Sequence, residues 1–303
     1  MKSVHLKTER LQVVIEEGTP SPLSRCQARQ PNAEWVDVLL PRDRALTTAP
    51  GFPQFGNPVL FPVGGRSYHN NRPGLAEWKH ETFQMPLHGI AHLGIWKLSP
   101  QHTAQQAEVT LAYQPNHVTD WPFPFELIQQ FELTQPNKLE HRVVVKNSHP
   151  TAVMPVALGF HPFFTIPDHW HAHTLKHGAK ELWTIDHRGL AEYPPNTVAG
   201  HHEFSSKLLR NCILGDLETS QVDILNQDEE SLLRLQWTHQ DFSFLTCWAL
   251  PEQNIWCFEP WQNLPNPWDH PTKPMHLVEP MTTFSASMSM EWNMHPSSKG
   301  NVT

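Results

Sequence analysis

The chain has 303 residues, of which 39% are hydrophobic and 17% charged, a balance typical of a globular protein rather than a charge-rich disordered one. The formal net charge is −8, from 22 Lys and Arg against 30 Asp and Glu without a long basic run, which argues against nucleic acid as a partner. No stretch reaches the roughly 20 apolar residues that a membrane span needs, so we also expect no membrane association.

Cysteine usage and the N-terminal residues predict a soluble, cytoplasmic protein. Cys26, Cys212, Cys247 and Cys257 show no CxxC spacing, and in a chain of this size we expect them to be reduced, buried thiols. The first 17 residues carry charges throughout and lack the apolar core of a signal peptide.

The 29 prolines favour short extended segments over long helices, because proline removes a backbone donor and clashes with the preceding helical turn. Strand-like runs recur along the chain, and no segment of comparable length shows a clear 3.6-residue apolar stripe. In chain order, the predicted strands are Gln12–Glu16, Val36–Leu40, Glu108–Tyr113, Phe125–Thr134, Lys138–Lys146, Val153–Leu158, Leu232–Trp237 and Phe284–Trp292. Between the second and third of these, Gly74–His80 is compatible with a short helical turn.

The clearest alternation is in Phe125–Thr134, where the odd positions are mostly apolar and the even positions include glutamates and glutamines. This pattern predicts an antiparallel strand with one buried face and one wet face. Pro136 and Asn137 supply a short turn before Lys138–Lys146, so the two segments are predicted to form a hairpin.

Many short strands at close spacing indicate a sandwich or barrel rather than βαβ units. No internal repeat and no convincing linker are visible, so we predict an all-β fold with one large domain over residues 1–294. The tail over residues 295–303 is predicted to be disordered. The sequence is compatible with a monomer or a homodimer.

Glu259 is the strongest candidate for a general base. It ends the apolar run Asn254–Phe258 and is flanked by Pro260 and Trp261, so its carboxyl should be partly desolvated. Desolvation raises the pKa of a carboxyl, which suits a base that works near neutral pH. The alternative is a carboxylate on an exposed strand face.

His161 is the matching candidate for a general acid, since Pro162 fixes its backbone and aromatic neighbours restrict its solvent. A lone histidine is more often structural, and that alternative stays open here. Arg66 and Asn70 offer the donors that sugar hydroxyls need, and Trp261 offers an aromatic face that could pack on a sugar ring.

Four motifs in order resemble the aldose 1-epimerase, or galactose mutarotase, family. They are Arg66 with Asn70 after a Phe-Pro step, His88-Gly89 after a Met-Pro step, Gly159–Phe164, which resembles the family's Gly-Tyr-His-Pro-Tyr-Phe, and Glu259-Pro260. The resemblance implies a large antiparallel β-sandwich with an open substrate groove, a monosaccharide substrate and no cofactor or metal.

In such an enzyme Glu259 would take the proton of the C1 hydroxyl and His161 would protonate the ring oxygen, from opposite sides of the ring. Ring opening, rotation and closure then exchange the α and β anomers, while His88, Arg66 and Asn70 bind hydroxyls. Two positions depart from the family pattern. His92 stands where many relatives have arginine, and Asp216 is the nearest candidate for a substrate-binding aspartate, in surroundings that match poorly.

Three other functions compete with this one. Some relatives act on hexose 6-phosphates, but Arg66 and Arg72 are the only arginines of the early motif region, which favours an unphosphorylated sugar. The sandwich could also be a carbohydrate-binding protein without turnover. Finally, His169, His171 and His173 alternate on an extended segment and could bind Zn²⁺ or Ni²⁺ in a metal-dependent isomerase, although an exposed loop is the simpler interpretation.

Overall fold

The computed structural model describes residues 2–49, 51–113, 120–166, 172–204, 207–238, 242–268 and 274–293. The predicted tail and most of the histidine-rich run, including His169 and His171, lie outside these ranges. The described residues form 25 strands. The first thirteen are β1 (Ser3–Lys7), β2 (Leu11–Glu16), β3 (Leu23–Arg29), β4 (Trp35–Leu39), β5 (Val59–Leu60), β6 (Tyr68–His69), β7 (Arg72–Pro73), β8 (Leu75–Trp78), β9 (Glu81–Gln84), β10 (Lys97–Leu98), β11 (Gln106–Tyr113), β12 (Phe125–Gln135) and β13 (Lys138–Asn147).

The second half of the chain continues in the same way. Its strands are β14 (Met154–Val156), β15 (Gly159–Phe160), β16 (Phe163–Thr165), β17 (Thr174–Thr184), β18 (Asn196–Thr197), β19 (His201–Glu203), β20 (Asn211–Leu225), β21 (Ser231–Trp237), β22 (Phe244–Leu250), β23 (Ile255–Trp261), β24 (His276–Val278) and β25 (Thr283–Trp292). Helical structure in the described ranges consists of short 3-10 turns, such as those at Arg42–Arg44, Ala91–Leu93, Lys207–Arg210 and Pro251–Gln253.

Nineteen of the strands form one antiparallel sheet, which divides at β20. On one side β20 pairs with β17 along most of its length, and on the other its first residues pair with β22 and its last with β21. One branch continues from β21 through β25, β13 and β12 to β11 and β10. The other continues from β22 through β23 and β16 to β4, β3, β2 and β1.

The two branches pack face to face as the layers of a sandwich. Side chains of both branches, among them Phe131 of β12 and Phe258 of β23, belong to one large buried apolar cluster. Strand β12 alternates between buried and half-buried residues, as expected for one core face and one solvated face. Strand β23 is buried at all seven positions, so neither of its faces is freely exposed to solvent.

The structure confirms the hairpin of β12 and β13, in which Leu133 pairs with Leu139 beside the predicted turn. The helical turn expected at Gly74–His80 is wrong. This segment contains β8, which pairs with β9 through a two-residue turn at Lys79 and His80. Both turn residues have positive φ, 52° and 70°, as a type I′ hairpin turn requires. The conformation of these two turn residues therefore gives a hairpin here instead of a helical turn.

All four cysteines are free and buried, as predicted. In the part of the chain that the structure describes, we find no helix with the length and apolar character of a membrane-crossing segment.

Candidate active site

A cavity of about 600 Å³ opens on the outer face of β22 and β23. Alternate residues of a strand point to opposite faces, so Trp256 and Phe258 enter the sandwich core while Cys257, Glu259 and Trp261 face outward. The cavity brings together five residues that the sequence motifs single out, which are Arg66, His88, His161, Glu259 and Trp261. These come from four separate motifs.

Glu259 lies on the cavity floor and is 1% exposed. Burial raises the pKa of its carboxyl well above the ordinary value of 4.5, because a charged carboxylate loses its hydration there. The indole Nε1 of Trp261 donates a hydrogen bond of 3.1 Å to Glu259 Oε2, which favours the anion and partly opposes the effect of burial on the pKa. The prediction of a desolvated carboxyl at this position is therefore confirmed.

His161 lies beside Glu259 and is 6% exposed. Its ring stacks on Phe163 with a centroid distance of 4.4 Å and an interplanar angle of 11°. Its backbone N–H donates to Asn57 Oδ1 at 3.1 Å and to the Pro58 carbonyl at 3.1 Å. Burial lowers the pKa of the imidazole to about 3, because the charged form is poorly solvated. Packing and backbone bonds thus hold the ring in one place.

Asn57 connects His161 to the opposite layer of the sandwich. Its Nδ2 lies 2.9 Å from His141 Nδ1, and His141 Nε2 lies 2.8 Å from Gln129 Oε1. Because an amide nitrogen can only donate, His141 accepts at Nδ1 and donates from Nε2. All three residues are at most 1% exposed. A buried polar chain therefore runs from β12 to the backbone of His161.

The side chains of Glu259 and His161 are direct neighbours, with Oε1 and Nε2 3.4 Å apart. The arrangement differs from the expected one, in which acid and base stand on opposite sides of a sugar ring. The structure places them side by side on the floor of the cavity. The two oxygens that a mutarotase must reach are bonded to the same carbon, C1, so adjacent groups can address both.

Trp261 is 4% exposed, so little of its ring face is open to a sugar. An added Cβ at Gly64 would lie 2.9 Å from Trp261 Cδ2, and one at Gly159 would lie 3.0 Å from Cδ1. These glycines let the backbone approach the indole closely, and they hold its N–H towards Glu259. The position suits a residue that orients the carboxylate better than one that stacks on a sugar.

His88 presents its Nε2 as a hydrogen-bond donor. Its Nδ1 accepts the Gly65 N–H at 3.1 Å, so the ring proton of the neutral imidazole resides on Nε2. The pKa of His88 lies well below 6.5, mainly because of burial and then through repulsion from His161, His92 and Arg66. Gly89 follows with a φ of 78°, and an added Cβ would lie 2.1 Å from the Phe61 carbonyl oxygen.

Arg66 and His92 occupy different depths around His88. Arg66 is exposed and lines the cavity, with its side chain beside Gly189. His92 is 8% exposed and packs edge-on against Phe52, with ring centroids 5.3 Å apart. Burial lowers the pKa of His92 to about 4, so this ring is neutral near pH 7.

Among the described residues, one group brings three metal-donor atoms within 4.8 Å of one another, namely His161, Cys257 and Glu259. A metal ligand thiol must lose its proton. Burial, and then the nearby Glu259, raise the pKa of Cys257 well above 9.0, so the thiol is protonated in the metal-free protein. An ion bound at this group would have to displace that proton.

The sequence profile of the aldose 1-epimerase family matches residues 23–291. The chain belongs to the aldose 1-epimerase family. A comparison with curated proteins finds no match. The family profile spans the described cavity residues from Arg66 to Trp261.

Solved structures show the same fold as this aldose 1-epimerase family member. The Slr1438 protein of Synechocystis sp. PCC 6803 superimposes with a TM-score of 0.78 at 19% identity, covering 97% of this chain and 96% of that one. A galactose mutarotase related enzyme from Lactobacillus acidophilus gives 0.76 at 19% identity, covering 96% and 97%. A galactose mutarotase-like protein from Lactobacillus casei gives 0.75 at 18% identity, covering 96% and 100%.

Two residues that the family resemblance assigned to substrate binding do not line the cavity. Asn70 is exposed and forms, with Asn71, the two-residue turn between β6 and β7, where both have positive φ. The turn geometry explains an asparagine here, because asparagine tolerates the left-handed region. Asp216 is exposed on β20, also at positive φ, and its charge acts on Lys180.

The cavity of this epimerase-family fold also contains polar residues that the sequence motifs did not indicate. They include Asp186, Asn211 and Thr246. Asp186 accepts hydrogen bonds from Leu190 and Arg188, which outweigh the effect of burial and lower its pKa. Thr246 pairs across the strands with Glu259. That pairing was not visible in the sequence, because β22 and β23 carry no motif that fixes their register.

Proposed function

We propose that the protein interconverts the α and β anomers of an aldose, with Glu259 as the base and His161 as the acid. The observation that carries the proposal is the 3.4 Å contact between Glu259 Oε1 and His161 Nε2 on the floor of an open cavity. A carboxyl and an imidazole whose pKa values are shifted in opposite directions by burial form an acid–base pair typical of functional sites.

To act as acid and base together, Glu259 and His161 must share one proton. In the ion-pair form Glu259 is a carboxylate and His161 an imidazolium, whereas in the neutral form the proton resides on the carboxyl. Burial raises the pKa of Glu259 and lowers that of His161, so desolvation favours the neutral form. Both forms hold the same number of protons, but only in the ion-pair form can Glu259 accept a proton while His161 donates one, so ring opening starts from that form.

Ring opening converts the ion pair into the neutral pair. Glu259 accepts the proton of the C1 hydroxyl, and the electron pair of that O–H bond forms the carbonyl double bond at C1. The bond from C1 to the ring oxygen then breaks, and His161 Nε2 protonates that oxygen. The step ends in the form that burial favours. After rotation about the C1–C2 bond, the C5 hydroxyl attacks C1 from the other face, His161 regains a proton and Glu259 returns one.

The remaining cavity residues hold the sugar and the pair. His88 Nε2 and the guanidinium of Arg66 donate to sugar oxygens from the wall and the mouth of the cavity. Trp261 keeps Glu259 Oε2 in place through its indole N–H, and so acts as a positioning residue. Asn70 and Asp216 take no part in this proposal, because they lie outside the cavity lining.

The arginine content of the cavity favours an unphosphorylated sugar. Arg66 is the one arginine among the described residues that line it. Arg188 lies nearby, but its Nε donates to Asp186 at 2.8 Å. A sugar phosphate carries about two negative charges and is usually held by several basic groups.

The test is NMR or polarimetry of freshly dissolved α-glucose, α-galactose and glucose 6-phosphate with and without the protein. We expect faster anomerisation of the neutral sugars than of glucose 6-phosphate. Faster anomerisation of the phosphate would identify a hexose 6-phosphate mutarotase instead. If no sugar reacts faster but α-glucose or α-galactose binds in a titration, the protein is a carbohydrate-binding member of the fold.

A further inference from the structure

Thr246 lies next to the acid–base pair on the neighbouring strand. Thr246 of β22 pairs directly with Glu259 of β23, and both line the cavity. Directly paired residues of an antiparallel sheet project from the same face, with Cβ atoms about 4.5–5.5 Å apart. The side chain of Thr246 therefore projects beside that of Glu259 from the same face of the sheet.

The hydroxyl of Thr246 is buried without a partner. The residue is 7% exposed, and its Oγ1 makes no hydrogen bond within the described residues. By contrast, the hydroxyls of Thr48 and Thr184 have partners, Gln54 and Glu192. Valine would fill the same space without a polar atom, so the threonine makes sense if a bound molecule completes its hydrogen bonding.

We propose that Thr246 Oγ1 hydrogen-bonds the C2 hydroxyl of the bound aldose and is a specificity-determining residue. This inference rests on the proposed function for the orientation of the sugar. Glu259 and His161 take the two oxygens on C1, and the ring atom next to C1 on the remaining side is C2. Thr246, on the strand next to Glu259, therefore contacts the hydroxyl on C2. Threonine and sugar hydroxyls can each donate and accept, so the bond forms in either direction.

Two variants separate the hydroxyl from the shape of the side chain. Thr246→Val removes the hydroxyl and keeps the branched shape, whereas Thr246→Ser keeps the hydroxyl and removes a methyl group. Each is compared with the wild type on α-glucose and on 2-deoxyglucose, and likewise on α-galactose and 2-deoxygalactose. The melting temperature without sugar reports whether the substitution disturbs the fold.

We expect Thr246→Val to lower kcat/KM for the 2-hydroxy sugar by about 5- to 30-fold, the effect of one lost hydrogen bond in a buried site. On the 2-deoxy sugar the same variant should match the wild type, and Thr246→Ser should stay near the wild type on both sugars. The melting temperature of Thr246→Val should equal or exceed that of the wild type, since a buried unpaired hydroxyl is removed.

Equal losses on the 2-hydroxy and 2-deoxy sugars would show that Thr246 acts only through the fold, and no loss on either would show that it does not touch the sugar. Both outcomes overturn the proposal. If the wild type anomerises no sugar, the proposed function fails, and calorimetric titration with the same sugar pairs then tests Thr246 alone. A loss of affinity in Thr246→Val for the 2-hydroxy sugar only would still support the contact, whereas absence of sugar binding to the wild type would overturn it.

Discussion

Two buried histidines lie on either side of Asn57 and differ in one respect. His141 and His161 are both at most 6% exposed, and burial lowers the pKa of each to about 3. Both ring nitrogens of His141 have partners, Asn57 and Gln129. His161 Nδ1 has none within the described residues, and its Nε2 faces Glu259 at the cavity.

The comparison teaches that burial and a shifted pKa do not by themselves mark a functional histidine. His141 satisfies its neighbours and fills the sandwich core, so its hydrogen bonds stabilise the fold. His161 keeps a ring nitrogen at a cavity, next to a carboxyl that competes with it for a proton. The contact of a ring nitrogen with a buried carboxyl at a cavity is the feature that separates the two.

The largest effect should come from the cavity pair. We expect Glu259→Gln and His161→Asn each to lower the rate of anomerisation by at least roughly 10²–10⁴-fold, because acid–base catalysis is lost. Polarimetry with α-glucose and α-galactose measures this. Full activity of Glu259→Gln would contradict the assignment of the base.

The matched substitution His141→Asn should act on stability instead. It leaves Asn57 and Gln129 without their buried partner, which we expect to cost about 1–3 kcal/mol of the free energy of unfolding. Urea unfolding measures the change, and the rate per folded molecule should fall far less than in His161→Asn. If the two variants lose activity equally, the distinction between the histidines is wrong.

The pH dependence of stability should also depend on His141. The folded pKa of about 3 lies below the ordinary value of 6.5, so in this window the unfolded chain binds one more proton. The contribution of neutral, buried His141 to the free energy of unfolding is therefore present above pH 6.5. It is lost as the pH falls below that value, by about 1.4 kcal/mol per pH unit. In His141→Asn the free energy of unfolding should therefore decrease less steeply as the pH falls. The difference in slope should correspond to at most one bound proton. An unchanged slope would show that His141 is not held neutral.

The smallest effect should come from Trp261→Phe, which keeps an aromatic ring and removes the N–H that bonds Glu259. That bond lowers the pKa of Glu259, so its loss raises the pKa further. The base is active when ionised, and the acid-side limb of kcat/KM should therefore move to higher pH. We expect less than a tenfold loss at the plateau. A shift to lower pH would argue against Trp261 as a positioning residue.

Strand β12, which has one wet face, could be predicted from the sequence, whereas β23, which is buried throughout, could not. The alternation in Phe125–Thr134 reports its single buried face, and the structure has β12 there. Strand β23 is buried throughout, so Ile255–Trp261 shows an apolar run without a period. At Gly74–His80 the backbone conformation of two turn residues outweighed the local composition.

Site residues that belong to a sequence motif could be predicted. Site residues that lie beside the motif residues only through strand pairing could not. Glu259 and His161 follow from local sequence, and both line the cavity. Thr246 becomes relevant only through its cross-strand pairing with Glu259. Asn70 shows the converse, since a motif position matched the family while the local turn carried the side chain away from the cavity.

Pairing between strands that are far apart in the sequence also has a consequence during synthesis on the ribosome. Strand β4 pairs with β16, where Leu39 meets Phe164, more than a hundred residues later in the chain. Translation at about 5–20 residues per second leaves the β1–β4 meander without that neighbour for roughly ten seconds. During this interval the edge of β4 offers unpaired backbone groups to other nascent chains. Strand β13 waits for β25 in the same way, since Val143 pairs with Ala286. Both branches of the sheet therefore expose strand edges until late in synthesis, and we expect both to benefit from protection by chaperones.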